Sequence, residues 1–123
     1  MPSFVAVAPV RVFHCDDSAA FRVLVREMLR EFGGVEVVGD AATLKDALAA
    51  LPDAQADVVL LDLFDNSDED ELVARLRPVA PDARFVVYSG KPERTGETAD
   101  GHLHKAAAFD ELHRVINEVA GRA

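Results

Sequence analysis

Apolar positions in this chain follow two alternating rhythms. Residues 10–15, "VRVFHC", are a short β-branched and aromatic run, the signature of a strand. After Ser18 the apolar residues fall at Phe21, Leu24, Val25, Met28, Leu29 and Phe32. That spacing puts them on one helical face, and Gly33 and Gly34 stop the helix. Residues 35–39, "VEVVG", return to a strand pattern. Thr43 then caps a helix with Leu44, Ala47, Leu48 and Leu51 on one side, and Pro52 is expected to end it. Residues 57–62, "DVVLLD", are an apolar run of strand length. Leu72, Val73 and Leu76 mark a short helix closed by Pro78. Residues 84–89, "RFVVYS", predict a fourth strand and residues 101–105, "GHLHK", a short fifth. Phe109, Leu112, Ile116, Val119 and Ala120 line a last helix.

Strands alternating with helices imply an α/β fold, a parallel sheet with helices on both faces. The uninterrupted "VVLL" fits a central strand buried on both sides. Right-handed crossovers leave few arrangements, and the flavodoxin-like, doubly wound five-stranded order 2-1-3-4-5 is the expected one. A chain of 123 residues is long enough for one domain with a real core. Residues 1–123 therefore read as a single domain, with residues 1–9 as an N-terminal extension.

Charge and composition narrow the partners. A net charge of −9 argues against direct nucleic-acid binding, which needs a basic face. No apolar run reaches membrane-spanning length, and the N-terminus lacks the basic flank of a signal peptide. One cysteine, Cys15, excludes an internal disulfide and points to a reducing, cytoplasmic setting.

The chemistry lies at the strand ends. Asp16 and Asp17 follow the first strand and Asp62 ends the third. In the expected order these two strands flank the crevice where the chain reverses direction. Two unit charges 4 Å apart repel by about 4 kcal/mol at an effective dielectric near 20. Protonation or a cation must relieve the cluster, and an all-oxygen ligand set suits Mg²⁺. Ser89 and Lys105 end the fourth and fifth strands on the same rim. Carboxylates, a hydroxyl and one ammonium around a hard cation make a phosphoryl-transfer site.

The pieces "CDDS" with Arg22 downstream, "VVLLDL", "VVYSG" and "HLHKAAAFDEL" resemble the receiver domain of bacterial two-component response regulators, over nearly the whole chain. "EVVGDAATLKDAL" resembles the branch whose members often carry a DNA-binding domain after the receiver. The resemblance implies that Asp62 is the phosphoacceptor. It implies that Asp17, Asp62 and the backbone carbonyl of Phe64 ligate Mg²⁺ while Asp16 holds a metal-bound water. Lys105 would pair with a phosphoryl oxygen, Ser89 would bond the phosphoryl group as a switch, and His102 stands where the family has its switch aromatic. The implied donor is a histidine kinase or histidine phosphotransfer protein, and the output is a protein–protein interaction, with oligomerisation on phosphorylation an open option. Such a protein is not an enzyme beyond its own phosphorylation and dephosphorylation.

The sequence departs from the family at three places. Ala106 follows Lys105 where the family has proline, and a cis bond without proline costs about 3 kcal/mol. The segment "GKPERTGETAD", residues 90–100, is shorter than the family's and has no apolar periodicity, so the usual fourth helix is expected to be short or absent. "DLFDNSDEDEL" lacks the family's Met-Pro and Gly after the phosphoacceptor, and Phe64 replaces a frequently polar residue, which predicts slow self-dephosphorylation.

Plainer readings compete residue by residue. Asp17 and Ser18 could be helix caps, Asp62 and Ser89 turn residues, and Lys105 a solvated lysine. Cys15 and His14 fit core positions, His14 as a hydrogen-bonded core histidine. His102 and His104 share a strand face, a weak zinc pattern. The acidic residues 65–71 read as a solvated loop and helix start. Three rival functions remain: a phosphorylation-independent receiver-like interaction module, a metal-dependent phosphatase, and the receiver fragment of a DNA-binding regulator. The phosphatase is disfavoured because its second aspartate would fall at Phe64.

Overall fold

The computed structural model describes residues 7–64, 68–90 and 96–122. Strands β1 (Val10–Cys15), β2 (Val35–Ala41), β3 (Val58–Leu61), β4 (Arg84–Ser89) and β5 (Gly101–His104) form one sheet in the order β2-β1-β3-β4-β5. Every neighbouring pair is parallel. Helices α1 (Ala19–Phe32), α2 (Leu44–Ala54) and α3 (Glu69–Leu76) fill the first three crossovers, with a 3₁₀ turn Arg77–Val79 after α3, and α4 (Phe109–Val119) follows β5. This is the flavodoxin-like α/β arrangement.

The period of two along each strand sorts the core into two halves. On one face Phe13, Cys15, Val59, Leu61, Phe85 and Val87 pack with Ala47 and Leu51 of α2 and with Leu72, Val73 and Leu76 of α3. On the other, Val10, Val12, Leu60, Val86 and Tyr88 pack with Val25 and Leu29 of α1 and Leu112 and Ile116 of α4. All four residues of β3 are buried, as a central parallel strand requires.

Local chemistry sets the helix ends. Ser18 Oγ accepts the Phe21 N–H and Thr43 Oγ1 accepts the Asp46 N–H, so both hydroxyls cap as their sequence positions suggest. Pro52 does not end α2. The helix runs to Ala54 and closes at Gln55, whose φ is 53°. Arg11 Nε and Nη2 donate to the carbonyls of Gln55 and Ala54, placing a cation at the negative end of the helix. Strand β2 is longer than expected, with a bulge opposite Val12 and Phe13. Gly39 lies opposite Phe13, and a Cβ there would meet the Phe13 ring at 2.9 Å.

Between β4 and β5, residues 96–100 contain no helix, and residues 91–95 lie outside the described residues. Residues 96–100 form a strap held by α3 and its 3₁₀ turn. Asp70 Oδ1 accepts the N–H groups of Glu97 and Thr98 and the Thr98 hydroxyl, while Arg77 Nη2 donates to the Thr98 carbonyl. Gly96 lets the strap approach, because a Cβ there would lie 2.3 Å from Asp70 Oδ1.

Candidate functional site

Strand ends place the acids. Backbone bonds run one residue past each strand: Asp16 N–H donates to Ala41 O, Asp62 N–H to Cys15 O, and Lys105 N–H to Ser89 O, each at 2.9 Å. These bonds extend the ladders and fix Asp16, Asp62 and Lys105 on the rim at the carboxyl ends of the strands. Asp16, Asp17 and Asp62 each contribute an oxygen to a group lying within 4.8 Å of one another. Asp16 is buried, Asp62 half-buried and Asp17 exposed. The sequence-predicted triad therefore converges.

Asp16 has two jobs. Its Oδ1 accepts the Ser18 N–H at 2.8 Å, which anchors the start of α1. Its Oδ2 faces Lys105 Nζ at 2.6 Å, a charge contact rather than an aligned hydrogen bond. Arg22 Nη1 donates to the Asp16 backbone carbonyl, so the arginine downstream of "CDDS" braces the acid turn from α1.

Lys105 bridges the cluster. Its Nζ lies 3.5 Å from Asp62 Oδ2 and 4.7 Å from the centre of the Phe21 ring. One ammonium thus offsets part of the charge of three carboxylates. Burial pushes the Asp62 carboxyl above its ordinary range; Lys105 pulls it back and Asp16 adds to the rise. No cis peptide occurs among the described residues, so Lys105–Ala106 is trans, which resolves the question raised by the missing proline.

The remaining candidates fall as follows. Ser89 is buried at the end of β4, in register with His104 of β5. Phe64 follows the triad with a φ of 39° and packs against the core on the α2–α3 face. His102 is committed elsewhere: its Nε2 lies 2.9 Å from both oxygens of Glu69. His104 Nδ1 accepts the Ala106 N–H, so the two histidines serve separate partners and the zinc pattern is not realised. Cys15 is a free, buried core residue whose thiol burial pushes up to about 12.

Two sequence readings need correction. His14 is a core residue, but neither ring nitrogen has a hydrogen-bond partner among the described residues. It sits among Phe21, Tyr88 and Asp16, and burial pushes its pKa down to about 4, so it is neutral at pH 7. Glu69 belongs to the acidic run read as solvated, yet it is fully buried. The helical period does carry that signal: Glu69 is three before Leu72 and four before Val73, on the inward stripe of α3.

No protein-family model matches the chain. A protein-glutamate methylesterase/protein-glutamine glutaminase of Myxococcus xanthus is 37% identical over 90 residues, covering 72% of this chain and 26% of that protein. The response regulator GacA of Pseudomonas aeruginosa is 28% identical over 117 residues, covering 89% of this chain and 55% of GacA. Among solved structures, the signal receiver domain of NarL from Mycobacterium tuberculosis superposes with a TM-score of 0.81 at 28% identity, covering 95% of this chain and all of that domain. This chain belongs to the receiver domains of response regulators. The receiver spans about a quarter of the length of the curated methylesterases it matches and about half of GacA. It functions as a phosphoacceptor receiver domain in two-component signalling. None of the described helices is long and apolar enough to cross a membrane.

Proposed function

We propose that this receiver domain accepts a phosphoryl group on Asp62 from a phosphohistidine of a kinase or phosphotransfer protein, and that the phosphorylated state alters its binding to an output protein. The observation that carries this reading is the shared position of Asp16, Asp17 and Asp62, with Lys105 Nζ within 3.5 Å of Asp62. A carboxylate oxygen of Asp62 attacks phosphorus; the P–O bond forms as the P–N bond to the donor imidazole breaks, and the imidazole leaves with a proton. Lys105 stands beside the attacking carboxylate, where it can transfer its contact from Asp62 to an incoming phosphoryl oxygen. Ser89, at the adjacent strand end, would bond the phosphoryl group and carry the change outward.

The donor set suits Mg²⁺. The cation's octahedral ligand oxygens lie about 3 to 4 Å apart, compatible with carboxylate oxygens within 4.8 Å of one another. Asp17, Asp62 and the Phe64 carbonyl would hold the ion, with Asp16 behind them. When bound, it would supply positive charge against the phosphoryl oxygens that one lysine cannot supply alone.

Beryllofluoride, a phosphoryl mimic, tests the reading. With Mg²⁺ it should shift amide resonances around Asp62, Ser89 and Lys105, and Asp62→Ala should abolish the shifts. A silent spectrum in the unsubstituted chain would favour the phosphorylation-independent interaction module instead.

A further inference from the structure

Lys105 reaches the acid cluster from a segment with few means of holding itself still. The strand before it, β5, has only four residues and lies at the sheet edge. Three alanines follow, Ala106, Ala107 and Ala108, none with a side chain able to hydrogen-bond. Ala108 is the N-cap of α4 and offers no side-chain cap. The Ala107 N–H donates to the His104 carbonyl at 3.0 Å, which closes a turn with Lys105 and Ala106 at its centre.

His104 stands at the first position of that turn. Its Nδ1 accepts the Ala106 N–H at 2.9 Å. Asn, Asp and Ser usually make this bond, accepting from the amide two residues on. Here an imidazole does so. The bond requires a residue with an N–H at position 106 and an unprotonated Nδ1 on His104. Together with Lys105 N–H on Ser89 O and Ala107 N–H on His104 O, it gives three successive amides fixed partners, so the base of the Lys105 side chain is set before its four-carbon stem begins.

We propose that His104 is a positioning residue for the phosphoacceptor site: by accepting the Ala106 amide, it fixes the trans turn that aims Lys105 at Asp16 and Asp62. This inference rests on the phosphoacceptor reading for its consequence, but not for its geometry. His104 itself is exposed, so its replacement leaves the core intact.

The test compares His104→Ala and His104→Asn with the unsubstituted chain in two measurements. One is hydrogen exchange at the Ala106 amide. The other is affinity for beryllofluoride with Mg²⁺. His104→Ala should speed exchange at Ala106 and weaken beryllofluoride binding by roughly fivefold, the effect of one hydrogen bond. His104→Asn restores an acceptor at the same position and should recover most of both. Nitrogen-15 spectra of the ring should show the tautomer protonated at Nε2. Unchanged Ala106 exchange in His104→Ala, or an Asn variant no better than the Ala variant, overturns the inference. If the unsubstituted chain fails to bind beryllofluoride while Ala106 protection still follows His104, the phosphoacceptor reading falls and the turn assignment stands.

Discussion

Phe64 holds a φ of 39°, a region that non-glycine residues enter at a cost and that Asn tolerates better than bulky side chains. The ring is partly buried against the core, two positions after the proposed phosphoacceptor. It offers no group to orient a water molecule, whereas an Asn side chain does. Phe64→Asn should therefore relieve backbone strain and shorten the lifetime of the phosphorylated form by roughly tenfold or more, in line with gains from positioned proton-transfer groups. Following decay after removal of a small phosphodonor checks this, and equal lifetimes would refute it. Glu69 shows the opposite kind of residue, an acid whose charge cannot be read as solvation. A carboxylate with no exposed surface needs a partner, and His102 supplies one N–H shared between its two oxygens. The residue that resembles a switch aromatic in sequence is thus a fastening between β5 and α3 in the fold.

Among elements, α3 and the strap 96–100 form the most idiosyncratic unit. The acidic start of α3 is capped by Asp68, whose Oδ1 accepts the Glu71 N–H. Asp70, in the first turn of α3, gathers three donors from the strap. Bonds to the Thr98 hydroxyl and amide, then to the Glu97 amide, hold its carboxyl below its ordinary value of 3.8. A group with a depressed folded pKa stabilises the fold above its ordinary value and loses that contribution as pH falls through the folded value. Asp70→Ala should melt lower than the unsubstituted chain at pH 7, and the gap should narrow as pH falls below 3.8. Melting curves from pH 7 to pH 3 read this directly. A constant gap would mean the carboxylate's charge contributes nothing. The strap's anchoring also explains why residues without apolar periodicity can be ordered: side chains of a neighbouring helix satisfy its amides, which a hydrophobic face would otherwise organise.

At the scale of the molecule, net charge and topology act against each other. The fold brings three acids of a chain with net charge −9 to one end of the sheet, and among the described residues Lys105 is the lysine that stands among them. A ligand that binds only the folded state raises stability by mass action. Mg²⁺ in tenfold excess over its dissociation constant should therefore contribute about 1.4 kcal/mol and raise the melting temperature by several degrees. Asp17→Asn should remove most of that increment while leaving the core untouched, since Asp17 is exposed. A thermal scan with and without Mg²⁺, in both chains at matched ionic strength, separates site binding from general screening. An equal rise in both would assign the effect to screening.

The sequence alone determined the order of elements, because apolar period is a local property: strands two by two, helices by three and four, with Ser18 and Thr43 at their starts. It also determined that Asp16, Asp17 and Asp62 share a rim, since a parallel α/β chain with right-handed crossovers leaves little freedom about where strands 1 and 3 end. Only the tertiary structure decided how each polar group is satisfied. That Glu69 is buried on His102, that Asp70 and Arg77 hold the strap, that Arg11 closes α2 past Pro52, and that His104 accepts the Ala106 amide all depend on the partner a side chain meets. The acidic end of the sheet was legible because charge repulsion makes clustered acids conspicuous. The fastenings around it were not, because a hydrogen bond is specified by distance and angle between groups, and most of these join residues far apart along the chain.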